Sequence, residues 1–370
     1  MDRSQLYKEH LDEMFGIIPI DELSEEDVNR IIARLLSFLP NNGKLYKYRS
    51  IEGDAFNNAY EGLEQDYIYM AKANTLNDDL DSTLHFDVEK DVQKQMDLFM
   101  DKPWLFLDNW VNTNLDQLGF KSPVDIWAYK TVMGCVDKTT YNIDKNKAVD
   151  IFVKSGFSRL SAEQYISDCL ALVNKTIEEH AEELKKPISS LVNFNEIAKR
   201  DIYVFSMTED YDSDTMWAYY ANNNKGFCIE YDYNKIQALP IEKKKLLINL
   251  YRVIYKDEFE EYSFVDMQKY FMTGAQDKEL LKKAGRDILE KTITKLSKWK
   301  EEKEWRIFLC NLDENNKIYA DIVSGIIIDE RIINCDNSKR LIDLAKNRKW
   351  NIKVRKKNRL GTSHIYEELK

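Results

Sequence analysis

The segment DIYVFSMTEDYDSDTMWAYYANNNKGFCIEYD, residues 201–232, changes its hydrophobic pattern twice. DIYVFSMT is rich in β-branched and aromatic residues, which predicts a strand. The acidic turn EDYDSD leads into TMWAYYANN, where we predict a short helix that ends with Gly226 at its C′ position. GFCIEYD then predicts a second strand. The segment therefore predicts a strand, a short helix and a strand in succession.

Further strand signals lie on both sides of this segment. GKLYKYRSI, from Gly43, alternates in the manner of a strand, whereas residues 276–300 repeat apolar residues with a helical period. The segments EWRIFLC, KIYADIV and GIIIDE predict three more strands, and the chain closes with a predicted helix, SKRLIDLAKNRK, and strand, WNIKVRK. Because the predicted strands are short and cluster towards both ends of the chain, we predict an α+β fold with a short-stranded mixed β core.

The distribution of these signals predicts three parts. Residues 1–40 predict an N-terminal helical segment, and residues 41–90 and 200–370 carry the strands of an α+β core domain. Residues 91–199 carry helical patterns in several pieces, few strand signals and no cluster of catalytic residue types. We therefore predict that residues 91–199 form a large helical insertion.

Charge and cysteine usage narrow the classes of function. The chain has 370 residues and a formal net charge of −10, and a field of this sign disfavours nonspecific binding to nucleic acid and anionic membranes. Five scattered cysteines without a CxxC pair predict reduced thiols. We find no signal-peptide pattern and no apolar run of about 18 residues, so we expect a cytoplasmic protein without a membrane partner. The four histidines lie far apart, and no metal site is expected.

The segment WKEEKEWRIF, Trp299–Phe308, places carboxylates where a helical pattern gives way to a strand. If the strand begins at Glu302, then Glu302, Glu304 and Arg306 share one face, and the other face carries Trp305, Ile307 and Leu309. A carboxylate held beside an arginine at the start of a strand could orient a hydroxyl group or stabilise a developing cation. From the residues alone, an Arg306–Glu ion pair at the start of a strand, which contributes little to stability if exposed, is the favoured interpretation.

A second acidic cluster lies in NTLNDDLD, which contains Asn77, Asp78, Asp79 and Asp81. Carboxylates this close together could bind magnesium. They are also typical of an Asx turn, in which the side chains accept hydrogen bonds from the backbone.

Several segments together resemble the bacterial domain of unknown function 2971 family. LYKYRS followed by NTLNDDLD is similar to the start of that family, although Asp79 and Leu80 stand where the family usually has Pro and Phe. VFSMT, MWAYYA and KGFCIEYD are similar to its central signature, KWKEEKEWRIF to its C-terminal signature and SGIIIDERI to its usual ending. The resemblance covers roughly residues 43–90 and 200–360 and implies a bacterial protein linked to defence.

The order of these segments also resembles that of the ADP-ribosyltransferases, whose split β core binds nicotinamide adenine dinucleotide (NAD). This resemblance implies that Arg49 meets the pyrophosphate, because guanidinium and phosphate pair bidentately. It implies that Ser206 and Thr208 line the nicotinamide ribose pocket and that Tyr219 or Tyr220 stacks on the ring. We group Lys47, Tyr48 and Trp217 with them as candidate cofactor-binding residues.

The same resemblance implies catalytic roles for Glu304 and Glu302. Glu304 would hydrogen-bond to the ribose 2′-hydroxyl and stabilise the oxocarbenium-like charge that develops as nicotinamide leaves. Three further residues, Arg306, Asn77 and Asp78, are candidates for supporting roles. No tightly bound cofactor is expected, since NAD would be a substrate.

These observations leave three functions open. The first is an NAD-consuming transferase or glycohydrolase with a protein or nucleic-acid acceptor. The second is a non-enzymatic ligand-binding or sensor module, in which the aromatic residues of the signatures form the core. The third is a nucleic-acid-processing effector that uses Asp78, Asp79 and Asp81, which the negative net charge disfavours.

Overall fold

A computed structural model describes residues 3–14, 22–76, 81–83, 85, 87–102, 122–137, 140–179, 202–263, 265, 278–310, 312 and 315–369. Its residues divide into two compact units. Unit 1 comprises residues 1–84, 195–260 and 282–370, and unit 2 comprises residues 85–194 and 261–281. The predicted boundaries at residues 40, 90 and 199 remain predictions.

Helices and strands both contribute to the described chain. The helices are α1 Arg3–Met14, α2 Glu25–Phe38, α3 Gly53–Glu64, α4 Val88–Asp101, α5 Pro123–Met133, α6 Lys145–Lys154, α7 Arg159–Glu179, α8 Asp214–Tyr220, α9 Ile241–Leu247, α10 Lys278–Thr292 and α11 Asp336–Asn347. The strands are β1 Lys44–Ser50, β2 Tyr67–Tyr69, β3 Ala71–Lys72, β4 Ile202–Thr208, β5 Gly226–Asp232, β6 Leu250–Arg252, β7 Ile254–Lys256, β8 Thr294–Leu296, β9 Glu304–Cys310, β10 Lys317–Tyr319, β11 Val323–Asp329, β12 Asn351–Lys357 and β13 His364–Glu368.

Unit 1 is built on a mixed sheet with the strand order β13-β12-β11-β5-β1-β4-β9-β6, to which β3 adds by pairing with β4. Strands β11 and β12 run parallel, whereas the other neighbours in this order run antiparallel. The α+β prediction with a short-stranded mixed sheet is therefore confirmed.

The sheet opens between β1 and β4. On one side, β1 pairs with β5 at every residue from Lys44 to Ser50. On the other side, within the described residues, β1 pairs with β4 at Tyr46, which lies opposite Thr208. Further along β4, the neighbour on this side is β3, through Ala71 opposite Val204. The residues of β1 beyond Tyr46 thus diverge from β4, and side chains from both strands reach into the gap.

The two faces of the sheet bury different clusters. The larger cluster contains β-strand residues that alternate along β4 and β9, together with the apolar face of α2: Tyr203, Phe205, Met207, Trp305, Ile307, Leu309, Val28, Ile31, Ile32 and Leu35. The opposite face of β1 carries Tyr46 and Tyr48, which pack with Trp217 of α8. Trp305, Ile307 and Leu309 share one face, as predicted, and all three are buried in the larger cluster.

Some local predictions were wrong. The helix predicted over residues 276–300 ends at Thr292, and β8 and a 3-10 helix at Ser297–Glu302 follow. The strand predicted over EWRIFLC is confirmed as β9, whereas the alternative start at Glu302 does not occur, because Lys303 adopts the left-handed conformation (φ 44°) and turns the chain. Gly226 begins β5 instead of ending α8, since the left-handed residues there are the asparagines Asn222, Asn223 and Asn224.

Gly226 is needed at the start of β5, opposite Ser50 of β1. A Cβ at this position would collide with the carbonyl oxygen of Arg49 and would lie 2.8 Å from the Cα of Ala221, both backbone atoms that cannot rotate away. We expect Gly226→Ala to lower the free energy of unfolding by about 1–3 kcal/mol, the usual cost of overpacking, in denaturant titration. Lys225→Ala is the matched control because Lys225 is exposed, and a loss equal to that of the control would contradict this packing.

Unit 2 contains helices α4, α5, α6 and α7 around its own buried cluster, in which Phe152 is fully buried. Trp127 packs edge-on against Phe152 and stacks on Phe157. None of the described helices of the chain is long and apolar enough to cross a membrane.

Candidate functional site

A cavity of about 240 Å³ lies at the opening between β1 and β4. Consecutive residues of both strands line it, from Tyr46 to Arg49 and from Val204 to Thr208, as expected where two strands separate. Its remaining wall comes from β2, β3, α8, β8, the 3-10 helix that contains Glu302, the start of β9, and the loop residues Leu76 and Asp81. All of these residues belong to unit 1.

Most of the predicted site residues line this one cavity: Lys47, Tyr48, Arg49, Ser206, Thr208, Tyr220, Glu302, Glu304 and Arg306. Trp217 does not line it, because α8 turns this side chain into the core, where its indole N–H donates to the carbonyl of Tyr211 at 2.9 Å. Tyr219 is 73% exposed and also lies outside the lining. Asn77 and Asp78 lie outside the described residues.

Arg306 is the centre of a buried ion-pair network. Its side chain is 1% exposed, and its Nε and Nη2 donate to the two carboxylate oxygens of Glu304 at 2.7 and 3.0 Å. Nη2 also donates to Oδ2 of Asp81 at 2.7 Å, and Nη1 donates to the other oxygen of that carboxylate. One guanidinium therefore holds two carboxylates, the bidentate geometry that arginine favours.

Lys295, on β8, joins the same network from the other side. Its ammonium donates to Glu302 at 2.7 Å and to Glu304 at 3.1 Å, and it lies 3.6 Å from Asp81. Burial acts to lower the pKa of Lys295, but the carboxylates outweigh it and raise that pKa above its usual value. Lys295 is thus a cation that both signature glutamates share.

The surroundings of the two glutamates shift their pKa values in opposite directions. Burial acts to raise the pKa of Glu304, but Arg306 and Lys295 outweigh it and hold that pKa well below its usual range. For Glu302 burial is again the largest effect, and it raises the pKa above 4.5 despite the attraction of Lys295. The hydroxyl of Tyr220 donates to Glu302 at 2.6 Å. Carboxylates whose pKa values are pushed apart are the pattern from which acid and base roles are assigned.

These opposite shifts predict opposite effects on stability. Glu302 contributes to the free energy of unfolding fully below pH 4.5, and this contribution is lost as the pH rises through its raised pKa. Glu302→Gln should therefore stabilise the protein near neutral pH. Glu304 contributes to the free energy of unfolding above pH 4.5, and this contribution is lost only as the pH falls through its lowered pKa. Glu304→Gln should therefore destabilise the protein near neutral pH. Thermal unfolding of both variants between about pH 4 and pH 8 measures this. Shifts of the same sign at neutral pH would contradict the assignment.

The β1 side of the cavity carries the basic residues Lys47 and Arg49. The ammonium of Lys47 donates to the carbonyl of Ser206 and lies 4.1 Å from the centroid of the Phe205 ring. Burial lowers the pKa of Lys47 well below its usual value, and the charge of Arg49 adds to this; burial also lowers the pKa of Arg49. Among the described residues, no carboxylate forms an ion pair with Lys47 or Arg49. On this wall the guanidinium of Arg49 therefore offers positive charge to an anionic ligand.

Sequence reasoning missed Lys295 and the structural role of Asp81. Lys295 lies in a segment whose apolar residues keep a helical period past the end of α10 at Thr292, so the sequence does not indicate that it belongs to a strand. Asp81 was noted as a possible magnesium ligand, but it is bound by Arg306 and Lys295. No group of three or more His, Cys, Asp or Glu residues is placed to hold a metal ion in the part of the chain that the structure describes.

Comparison with known proteins adds one finding. The family model described as "Protein of unknown function (DUF2971)" matches residues 216–307, which confirms that resemblance over this segment. The matched segment contains Tyr220, Lys295, Glu302, Glu304 and Arg306 of the cavity wall. No curated protein and no solved structure matches the chain.

Proposed function

We propose that this chain, which resembles the DUF2971 family over residues 216–307, consumes NAD in the cavity between β1 and β4. In this reaction the bond between nicotinamide and ribose breaks, and ADP-ribose passes to water or to an acceptor. The observation that carries the proposal is that Arg49, Ser206 and Glu304, from three different strands, line one cavity. We place the reaction in the cytoplasm, the compartment that five free cysteines favour.

The guanidinium of Arg49 supports binding of the diphosphate. A guanidinium that has no carboxylate partner among the described residues can form two parallel hydrogen bonds with a phosphate. The amine of Lys47 lies beside it, and an anionic ligand would favour the protonated form of that amine. In contrast, Arg306 and Lys295 are already neutralised by Asp81, Glu302 and Glu304. We therefore assign the phosphates to Arg49 and Lys47.

The paired glutamates support cleavage at the ribose. As the glycosidic bond breaks, its electron pair passes to the nicotinamide nitrogen, and positive charge develops on the ribose. Glu304, held ionised, stabilises that charge electrostatically. The attacking water or acceptor hydroxyl then bonds to the ribose carbon and gives its proton to Glu302, whose raised pKa suits a general base.

The direct test follows nicotinamide release from NAD by chromatography, with purified protein alone and with a cell lysate that supplies acceptors. The proposal expects release in at least one of these conditions. Glu301→Gln is the matched control, because Glu301 is exposed while its neighbour Glu302 lines the cavity. An absence of release under both conditions would exclude the enzymatic proposal.

A second candidate is a module that binds a nucleotide without consuming it. The observation that favours it is the engagement of both Glu304 oxygens by Arg306 and Lys295, which is also the arrangement of an ion-pair network that only stabilises a fold. Under this proposal NAD binds and is recovered unchanged. The third function, processing of nucleic acid, gains no support because Asp81 is held in ion pairs.

A further inference from the structure

A second cavity, of about 190 Å³, adjoins the first at the opening of the sheet. Arg49, Phe205 and Tyr69 line both cavities. The other residues of the second cavity come from α3, from the face of β5 that carries Ile229 and Tyr231, from the segment around β2, and from Ala320 and Val323 near the start of β11. Ile229 and Tyr231 belong to the larger core cluster, whereas Tyr46 and Tyr48 of the first cavity pack on the opposite face.

The two cavities therefore lie towards opposite faces of the sheet and meet at Arg49. Each cavity alone is smaller than the roughly 300–1,000 Å³ typical of sites for drug-sized ligands. A ligand that occupies both must pass through the opening between β1 and β4. At that point it meets a guanidinium, so the middle of such a ligand should be anionic.

The lining of the second cavity fits a nucleoside. Tyr67 and Tyr231 supply aromatic surface, and Ala59 and Leu63 of α3 supply apolar surface. Asn58, at the exposed rim, supplies an amide that can donate and accept hydrogen bonds, as the edge of adenine requires. A flat base with a polar edge matches these surfaces.

We propose that the second cavity binds the adenosine half of the substrate, so that the chain takes a whole dinucleotide threaded through the sheet. The diphosphate then lies at Arg49, and the nicotinamide ribose lies in the first cavity beside Glu302 and Glu304. This inference rests on the proposed function, and it adds that a nicotinamide mononucleotide, which lacks the adenosine half, is a poor ligand.

Calorimetric titration with NAD, ADP and nicotinamide mononucleotide tests this. Ala59→Trp fills the second cavity from α3, and Asn57→Trp is the matched control because Asn57 is exposed on the same helix and does not line either cavity. We expect Ala59→Trp to weaken binding of NAD and ADP at least tenfold and to leave binding of the mononucleotide unchanged. The control should leave all three affinities unchanged.

The outcomes separate this inference from the proposed function. If the wild-type protein binds NAD, and Ala59→Trp binds NAD and ADP as tightly as the wild-type protein does, the second cavity is not the adenosine site. The first cavity can then still be the place of cleavage. If the wild-type protein binds neither dinucleotide nor ADP, both proposals fail. Because Ala59 packs partly against the core, Ala55→Trp, at an exposed residue of the same cavity, repeats the test if circular dichroism shows that the first variant is unfolded.

Discussion

Replacing Arg306 with methionine is expected to lower the free energy of unfolding by about 3–5 kcal/mol, the cost of breaking a buried ion pair. The substitution leaves Glu304 and Asp81 buried, with exposed fractions of 5% and 3%. Lys295 contacts both carboxylates, but at 3.1 and 3.6 Å it cannot replace the paired hydrogen bonds of a guanidinium. Urea or guanidinium titration measures the loss.

Arg252→Met provides the comparison for this experiment. Arg252 lies on β6, next to β9 in the sheet, and its ion pair with Glu209 is long, at 3.8 Å, and half exposed. An exposed pair of this kind contributes about 0–1 kcal/mol. If Arg306→Met costs no more than Arg252→Met, the network around Arg306 does not hold the start of β9 in place.

The second large effect is expected on turnover. Glu304→Gln should lower the rate of nicotinamide release by about 10²–10³-fold, the usual loss when a prepositioned electrostatic contact to the transition state is removed. The loss should appear in kcat, because the developing positive charge exists only in the transition state. The measurement is single-turnover release at a temperature where the variant remains folded.

Two comparisons make the result on Glu304 specific. Glu301→Gln changes an exposed glutamate three residues earlier and should leave turnover unchanged. Arg49→Met should instead raise KM, because the diphosphate contact is made equally in the ground state and in the transition state. A Glu304→Gln variant with the wild-type kcat would restrict Glu304 to a structural role.

Local patterns predicted the class of fold and the faces of its strands. Alternation placed Trp305 and Ile307 opposite Arg306, because a strand has a period of two whatever its neighbours are. The turn at Lys303 was not predictable, since a lysine with a positive φ is uncommon and no glycine marks the position. The predicted helix over 276–300 was too long because its apolar period continues through β8.

The cavity itself could not be derived from the residues alone. Its shape depends on β1 separating from β4 after Tyr46, and pairing between strands distant in sequence is a tertiary property. The order of motifs nevertheless brought Arg49, Ser206 and Glu304 into the prediction as one group. Lys295 was missed because nothing in the local sequence distinguishes it from the other lysines of that segment. Its contacts with Asp81, Glu302 and Glu304 form only when the chain is folded.

The most direct test of the account is the structure of a complex with an NAD analogue in which a methylene group replaces the ring oxygen of the nicotinamide ribose. This analogue cannot form the oxocarbenium-like state, so it remains intact in the site. We expect its diphosphate to lie about 3 Å from the guanidinium of Arg49, with the modified ribose beside Glu304 between β1 and β4. An analogue bound away from this opening, or failing to bind at all, would contradict the claim that the opened sheet is the NAD site.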